Sequence, residues 1–134
     1  MANYVGGDKW VANEELVTAA ANLVGQTLVL WDGTVPANAA NGVMGVVDVD
    51  TANGDTVSVK TPPSIVEVRA TGTVTKGAYV EVLTTTYTTK DAASVTGAGV
   101  TNLASGYPIG KAYTGGAAND TVLVALLENQ AKPT

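Results

Sequence analysis

The 134-residue sequence has no cysteine, no histidine and no phenylalanine. Without cysteine it can form neither a disulfide nor a thiolate metal site. Without histidine it lacks the commonest general acid and base, which excludes Ser-His-Asp and Cys-His catalytic groups. Glycosidase chemistry would need two facing carboxylates, but the glutamates lie far apart along the chain, at Glu14, Glu15, Glu67, Glu81 and Glu128. The sequence therefore predicts no catalytic site and no cofactor, and a protein that is not an enzyme.

Positive charge and long apolar runs are also scarce. Seven Lys and Arg residues stand against twelve Asp and Glu residues, which gives a net charge of −5 and no basic stripe for a phosphate backbone. No apolar run reaches the roughly 18 residues of a transmembrane helix. The amino terminus, MANYVGGDKW, lacks the basic start and apolar stretch of a signal peptide. These absences predict a protein made in the cytoplasm, with neither nucleic acid nor membrane as a partner.

What the sequence does have is valine, threonine, alanine and glycine, a mixture that favours sheets joined by tight turns. Short runs rich in Val and Leu, several of them alternating, predict strands at residues 26–30, 57–59, 65–70, 78–83 and 122–127. The predicted fold class is all-β, as a small β-sandwich or a partly open, tulip-like β-barrel. One segment, residues 13–24, fits either a short helix or an irregular strand, because early acidic residues precede a run of Ala and Leu.

The chain also contains an internal repeat. Residues 44–59 align without a gap with residues 109–124, and they share an Asp-Thr-Val element at 55–57 and 120–122. Earlier in the chain, residues 24–30 align with residues 76–82. The two offsets, 65 and 52, place a thirteen-residue insertion between Leu83 and Pro108.

We therefore expect two related halves, about 17–61 and about 70–127, that close around one shared core. They form a single domain over residues 13–128, with an extended N-terminal arm at 1–12 and a C-terminal tail at 129–134. The inserted segment, 84–107, is predicted to be a solvated loop. As an alternative, a threonine-rich hairpin around Tyr87 joins an oligomer interface or projects outward.

The candidate binding motifs lack residues that their ligands would need. Asp48, Asp50 and Asp55 resemble a calcium loop, but the glycine falls one position late, and alanine and valine occupy two ligand positions. An acidic strand end followed by an Asn-Gly turn is the favoured interpretation, so no metal site is predicted. The aromatic residues are too scattered to predict a sugar-stacking platform, and packing in a core or an interface is favoured.

Taken in order, several of the motifs resemble a known family, the capsid decoration or cement proteins of tailed bacteriophages. The members of that family that it resembles are small β-domains with two related halves. The similarity covers most of the chain, through residues 25–30 with Asp32-Gly33, residues 43–46, residues 70–72 leading to 76–80, and residues 109–112 followed by 121–124.

The resemblance implies a structural virion protein that binds the outer surface of the expanded phage head and stabilises contacts between capsomers. It also implies the major capsid protein as the partner and a homotrimer as the oligomeric state. A virion-surface or fibre-type module that recognises host glycans is the alternative. Residues Tyr4, Val5 and Trp10 of the arm are expected to contact the capsid or a neighbouring protomer, as is Tyr87, whereas an unordered terminus is the competing interpretation of the arm.

Overall fold

The computed structural model describes residue 11, residues 13–88 and residues 94–130. Within these ranges the chain forms strands and no helix, so the predicted all-β class is confirmed. The nine strands are β1 (Glu14–Thr18), β2 (Thr27–Leu30), β3 (Val43–Val47), β4 (Thr56–Lys60), β5 (Ile65–Arg69), β6 (Tyr79–Thr88), β7 (Ser94–Asn102), β8 (Gly110–Ala112) and β9 (Thr121–Leu126).

The strands form two antiparallel sheets. The four-stranded sheet has the order β1-β4-β3-β2, and the five-stranded sheet has the order β5-β9-β8-β6-β7. Strand β2 lies against β7 and β5, and the Arg69 amide donates a hydrogen bond to the Gln26 carbonyl across this junction (2.8 Å). Two sheets that meet along one side in this way form the predicted sandwich or partly open barrel.

The internal repeat reappears in the backbone. Strands β4-β3-β2 with β1 at the edge match strands β9-β8-β6 with β5 at the edge, and β7 is the added strand. The Asp-Thr-Val elements open β4 and β9, and the Asp120 carboxylate accepts the Ala117 amide in the turn before β9 (2.9 Å). Equivalent backbone hydrogen bonds, all 2.7–2.8 Å long, occur in the two halves: Ala19 N to Asp55 O with Ala70 N to Asp120 O, and Gln26 N to Val47 O with Gly77 N to Ala112 O.

These hydrogen bonds correct the alignment of the first strands by one residue. The sequence comparison matched Gly25 with Gly77 at an offset of 52, whereas the structure matches Gln26 with Gly77, an offset of 51. The two matched residues share a positive φ, of 65° at Gln26 and 85° at Gly77. A one-residue slip moves every side chain of a strand to the opposite face, so the correction changes which residues of β2 and β6 are equivalent.

The helix considered for residues 13–24 is wrong. Residues 14–18 form β1, which pairs with β4 and places Val17 opposite Val57. Further along, Leu23 forms an isolated bridge with Thr51. The alanines at 19–21 favour a helix, but intrinsic propensity contributes little free energy per residue, and the pairing of this segment with the sheet overrides it.

The solvated loop predicted for residues 84–107 is also wrong. Strand β6 continues to Thr88 and pairs with β7 along its whole length, from Val80 with Asn102 to Thr88 with Ser94. Ala98 and Val100 of β7 are fully buried. The inserted segment therefore forms a hairpin that extends the five-stranded sheet and contributes to the core.

The core consists of small aliphatic side chains in two clusters. The larger cluster covers the inner face of the five-stranded sheet and includes Leu28 and Val46 of the four-stranded sheet. The second cluster contains their immediate neighbours Val29 and Val47. Because adjacent residues of a strand point to opposite faces, β2 and β3 are packed on both sides. Each fully buried valine or leucine contributes about 1.5–3 kcal/mol relative to exposure.

Candidate functional site

Of the four contact residues predicted from the sequence, the structure describes Tyr87. Tyr4, Val5 and Trp10 lie outside the described residues, so their role stays a prediction. Tyr87 lies on β6, where its ring packs over Gly97 and the Arg69 guanidinium carbon lies 5.3 Å from the ring centroid. Its side chain thus takes part in packing within the chain.

The Tyr87 hydroxyl is buried and has no hydrogen-bond partner among the residues that the structure describes. Burial raises the pKa of this phenol above its ordinary value, and the positive charge of Arg69 opposes the shift. A buried hydroxyl cannot itself contact a partner protein. Its role as a contact residue stays a prediction.

The acidic group after β3 serves the fold. The Asp48 carboxylate forms an ion pair with the Lys60 ammonium (2.6 Å), and an Asp50 oxygen accepts the Gly25 amide (2.7 Å). Over the described ranges, no three residues of the metal-binding types come together in a group that could hold an ion. These contacts identify Asp48 and Asp50 as links between neighbouring segments of the first half.

Lys60 is the most buried cation of the described chain, with 8% of its surface exposed. Its ammonium contacts Asp48 and, at 3.5 Å, a Glu14 oxygen. Burial alone would lower the pKa of Lys60, but the hydrogen bond and charge of Asp48, helped by Glu14, outweigh it and hold the pKa above its ordinary value. The lysine therefore stays charged and ties β1, β4 and the end of β3 together.

A second buried charge also has a structural role. Glu81, 5% exposed, accepts the Ala104 amide at 3.0 Å and the Gly106 amide at 2.8 Å, one on each carboxylate oxygen. The segment after β7 is held in place by these two bonds. Charge-assisted bonds of this kind are about twice as strong as neutral ones, so Glu81 is accounted for without a catalytic role.

The outer face of the five-stranded sheet is open. We use this name for the side that bears Ile65, Glu67, Tyr79, Lys111, Leu123 and Ala125, which alternate with core residues along their strands. Tyr113 follows β8 two residues after Lys111, opposite Leu123, and its amide donates to the Leu123 carbonyl (2.8 Å). Tyr79 and Tyr113 are 48% and 55% exposed, and the Lys111 ammonium lies 5.7 Å from the Tyr79 ring centroid.

The corrected repeat allows Tyr79 and Lys111 on this face to be compared with the equivalent residues of the first half. Tyr79 and Lys111 pair with each other in the second half as Leu28 and Val46 do in the first. Leu28 and Val46 are fully buried against the larger core cluster. This position of the sheet is thus covered in the first half and exposed in the second, where the chain carries tyrosine and lysine.

A cleft of about 470 Å³ lies at one end of the first half. It opens between the start of β1, the end of β2, the start of β3 and the segment that follows β9. Trp31 lies at its edge with 60% of its surface exposed, and both Glu15 and Glu128 line it. The sequence analysis missed this cleft, because Glu15 and Glu128 are far apart in the sequence and no motif connects them.

Comparison with known proteins does not identify the chain. The sequence matches no family model and no curated protein. Among the described residues, no helix is long and apolar enough to cross a membrane.

Proposed function

We propose that the protein is a structural component of a phage virion, which binds the outer surface of the expanded head and stabilises contacts between capsomers. The observation that carries the proposal is the outer face of the five-stranded sheet. It carries two exposed tyrosines, and the residue pair that corresponds to Tyr79 and Lys111 in the first half, Leu28 and Val46, is fully buried. Exposed aromatic side chains on a rigid sheet are typical of protein interfaces, where they are enriched relative to other surfaces.

The charged groups inside the fold support a structural role. Lys60 and Glu81, the buried charged residues in the part of the chain that the structure describes, both form contacts within the chain. A protein whose polar interior serves its own stability can act through its surface alone. The resemblance adds the identity of the partner, the major capsid protein, and the trimeric state.

A protein that binds only the expanded shell stabilises it by mass action. If three copies are joined, the second and third contacts become intramolecular, so weak single sites give strong overall binding. A modest interface on each protomer is therefore sufficient. Two half-exposed tyrosines on one face match that requirement.

Co-sedimentation with expanded heads that lack the protein tests the proposal, with unexpanded heads as the control. We expect saturable binding to expanded heads alone. The double variant Tyr79→Ser, Tyr113→Ser should bind about tenfold more weakly, since truncating two interface aromatics costs about 1 kcal/mol or more. The matched control is Leu16→Ser, which removes a 75% exposed apolar side chain from the four-stranded sheet and should bind like the wild type.

Carbohydrate binding is the second candidate, favoured by the same pair of tyrosines beside Lys111. Two aromatic rings on one sheet face can stack on a sugar, and a nearby cation can pair with an acidic one. A glycan array separates the candidates. Glycan binding that the Tyr79→Ser, Tyr113→Ser variant loses, without binding to heads, would favour this second function, and a silent array would count against it.

A further inference from the structure

The cleft in the first half has walls that are already fixed by their own hydrogen bonds. The Gln130 side-chain amide accepts the Val43 N–H and donates to the Val43 carbonyl, both at 3.0 Å, as a neighbouring strand would. The Asn13 side-chain amide donates to the Thr61 hydroxyl (2.8 Å). These polar side chains hold the cleft open and are largely satisfied.

The groups left free in the cleft are mostly acceptors. Neither the Glu15 nor the Glu128 carboxylate forms a hydrogen bond or ion pair with any residue that the structure describes, and both are exposed. Among the residues that the structure describes, no lysine or arginine lines this cleft. An ionised carboxylate can only accept hydrogen bonds, so a fitting ligand must bring donors, and two unpaired negative charges favour a ligand that is positively charged.

Trp31 gives this cleft a second feature suited to a cation. Tryptophan is the best aromatic partner for ammonium and guanidinium groups, which it attracts over the face of its ring. With 60% of its surface exposed, Trp31 has room for such a contact. Apolar side chains at Val43, Met44 and Leu127 also line the cleft and can pack against the aliphatic stem of a long basic side chain.

We propose that the cleft binds the guanidinium or ammonium group of an arginine or lysine side chain on a partner protein. The two carboxylates would accept its hydrogen bonds while Trp31 contacts its charged plane. The net charge of −5 on the chain favours the approach of a basic partner over longer distances. The identity of that partner as the shell protein rests on the proposed function, whereas the chemistry of the cleft does not.

The probe for this inference is N-acetyl-arginine amide, titrated into the whole protein while the indole N–H signal of Trp31 is followed by NMR. Its neutral isostere, N-acetyl-citrulline amide, is titrated in parallel. The Trp31 signal is assigned by its disappearance in Trp31→Phe. We expect a saturable shift with the arginine probe, none with citrulline, and weaker binding as salt rises from about 50 mM to about 500 mM.

Variants test which groups are responsible. The double variant Glu15→Gln, Glu128→Gln should weaken arginine binding about tenfold, because both charges are lost. The control Asp55→Asn removes an exposed carboxylate outside the cleft and should leave binding unchanged. Equal shifts with citrulline, or an unchanged affinity in the double variant, would overturn the inference.

The two proposals fail separately. Binding to heads without any shift of the Trp31 signal by arginine would reject the cation site and leave the virion role standing. An arginine-specific shift without binding to heads would do the reverse. If neutral monosaccharides shift the Trp31 signal and arginine does not, the cleft is a carbohydrate site and the cation inference is wrong.

Discussion

Replacing Gly45 by alanine tests the packing of the first sheet. Gly45 lies in β3, and a Cβ atom there would overlap the Lys60 carbonyl oxygen of β4, with the Lys60 carbonyl carbon at 2.8 Å and a Val59 methyl at 3.0 Å. The overlapping atom belongs to the backbone of the neighbouring strand, so it cannot rotate away. The strands must separate at the point where Val46 pairs with Lys60.

The expected cost follows from three terms. Forcing extra volume into a packed interior costs about 1–3 kcal/mol, and a weakened ladder hydrogen bond adds about 1 kcal/mol. Replacing glycine in a strand returns about 0.5–1 kcal/mol through the unfolded chain. We therefore expect Gly45→Ala to lower the free energy of unfolding by about 1–3.5 kcal/mol. For 134 residues, an unfolding entropy of about 2.1 cal/mol/K per residue turns this into a drop in Tm of about 4–12 °C.

The repeat supplies two internal controls for this measurement. Gly110, the counterpart of Gly45, would place its Cβ against a Val124 methyl and 2.8 Å from the Ala125 carbonyl oxygen. A methyl group can yield more easily than backbone, so Gly110→Ala should cost less than Gly45→Ala. Gly54 has φ of 96° with open space around it, and its counterpart Asn119 has φ of 77°. Gly54→Asn should therefore be nearly neutral.

Thermal melts and urea denaturation of the three variants provide the comparison. If the free energy of unfolding of Gly45→Ala lies within about 0.5 kcal/mol of the wild-type value, the reasoning is refuted. A change that small is typical of exposed positions, and it would mean that β3 and β4 do not approach each other as closely as described. A larger loss in Gly110→Ala than in Gly45→Ala would refute the distinction between backbone and side-chain obstruction.

Two further predictions concern the buried polar groups. Tyr87→Phe removes a buried hydroxyl that lacks a partner among the described residues, so the free energy of unfolding should rise by up to about 1 kcal/mol; a loss of that size in a thermal melt would contradict the described burial. Lys60 has a pKa raised above its ordinary 10.5 in the folded protein, so its contribution to stability is complete below that pH and is lost as the pH rises through the folded value. Lys60→Met should be less stable at pH 8 and should lose less stability between pH 8 and pH 11 than wild type; parallel pH dependences in urea denaturation would contradict the ion pair.

The parts of the fold that could be predicted from sequence are those with a strong local pattern. The alternating valines of β5 and β9 predicted strands, and the shared Asp-Thr-Val elements identified β4 and β9 as equivalent. The repeat indicated two related halves because those strands occupy equivalent positions. For the strands the information lies within a short run of consecutive residues, which is the range over which periodicity acts.

The parts that could not be predicted depend on partners distant in sequence. Strand β1 has little apolar alternation, and its register comes from pairing with β4. Strand β7 resembles a loop because it is rich in small residues, yet Gly99 lets β7 pass close to the Arg69 carbonyl. The alignment of the first strands was wrong by one residue because it matched Gly77 with the identical residue Gly25. The position requires a positive φ, and in the first half Gln26 has it.

The candidate sites show the same limit. The alternation of β9 places Leu123 and Ala125 on the outer face of the five-stranded sheet, but the exposure of Tyr79 and Lys111 could not be predicted, because the equivalent residues Leu28 and Val46 are buried. The cleft could not be predicted, since Glu15, Trp31 and Glu128 come from three segments that only the tertiary structure brings together. The spacing of glycines and aromatic residues along the chain does not indicate that these three residues lie close together.

A reconstruction of expanded heads by electron cryo-microscopy, with and without the added protein, tests the central claim most directly. The account predicts additional density on the outside of the shell, in trimers, with the face that bears Tyr79 and Tyr113 toward the shell or toward a neighbouring protomer. Heads with no additional density at saturating protein would contradict the structural virion role. Density in which both tyrosines face solvent would contradict the surface that we assign to it.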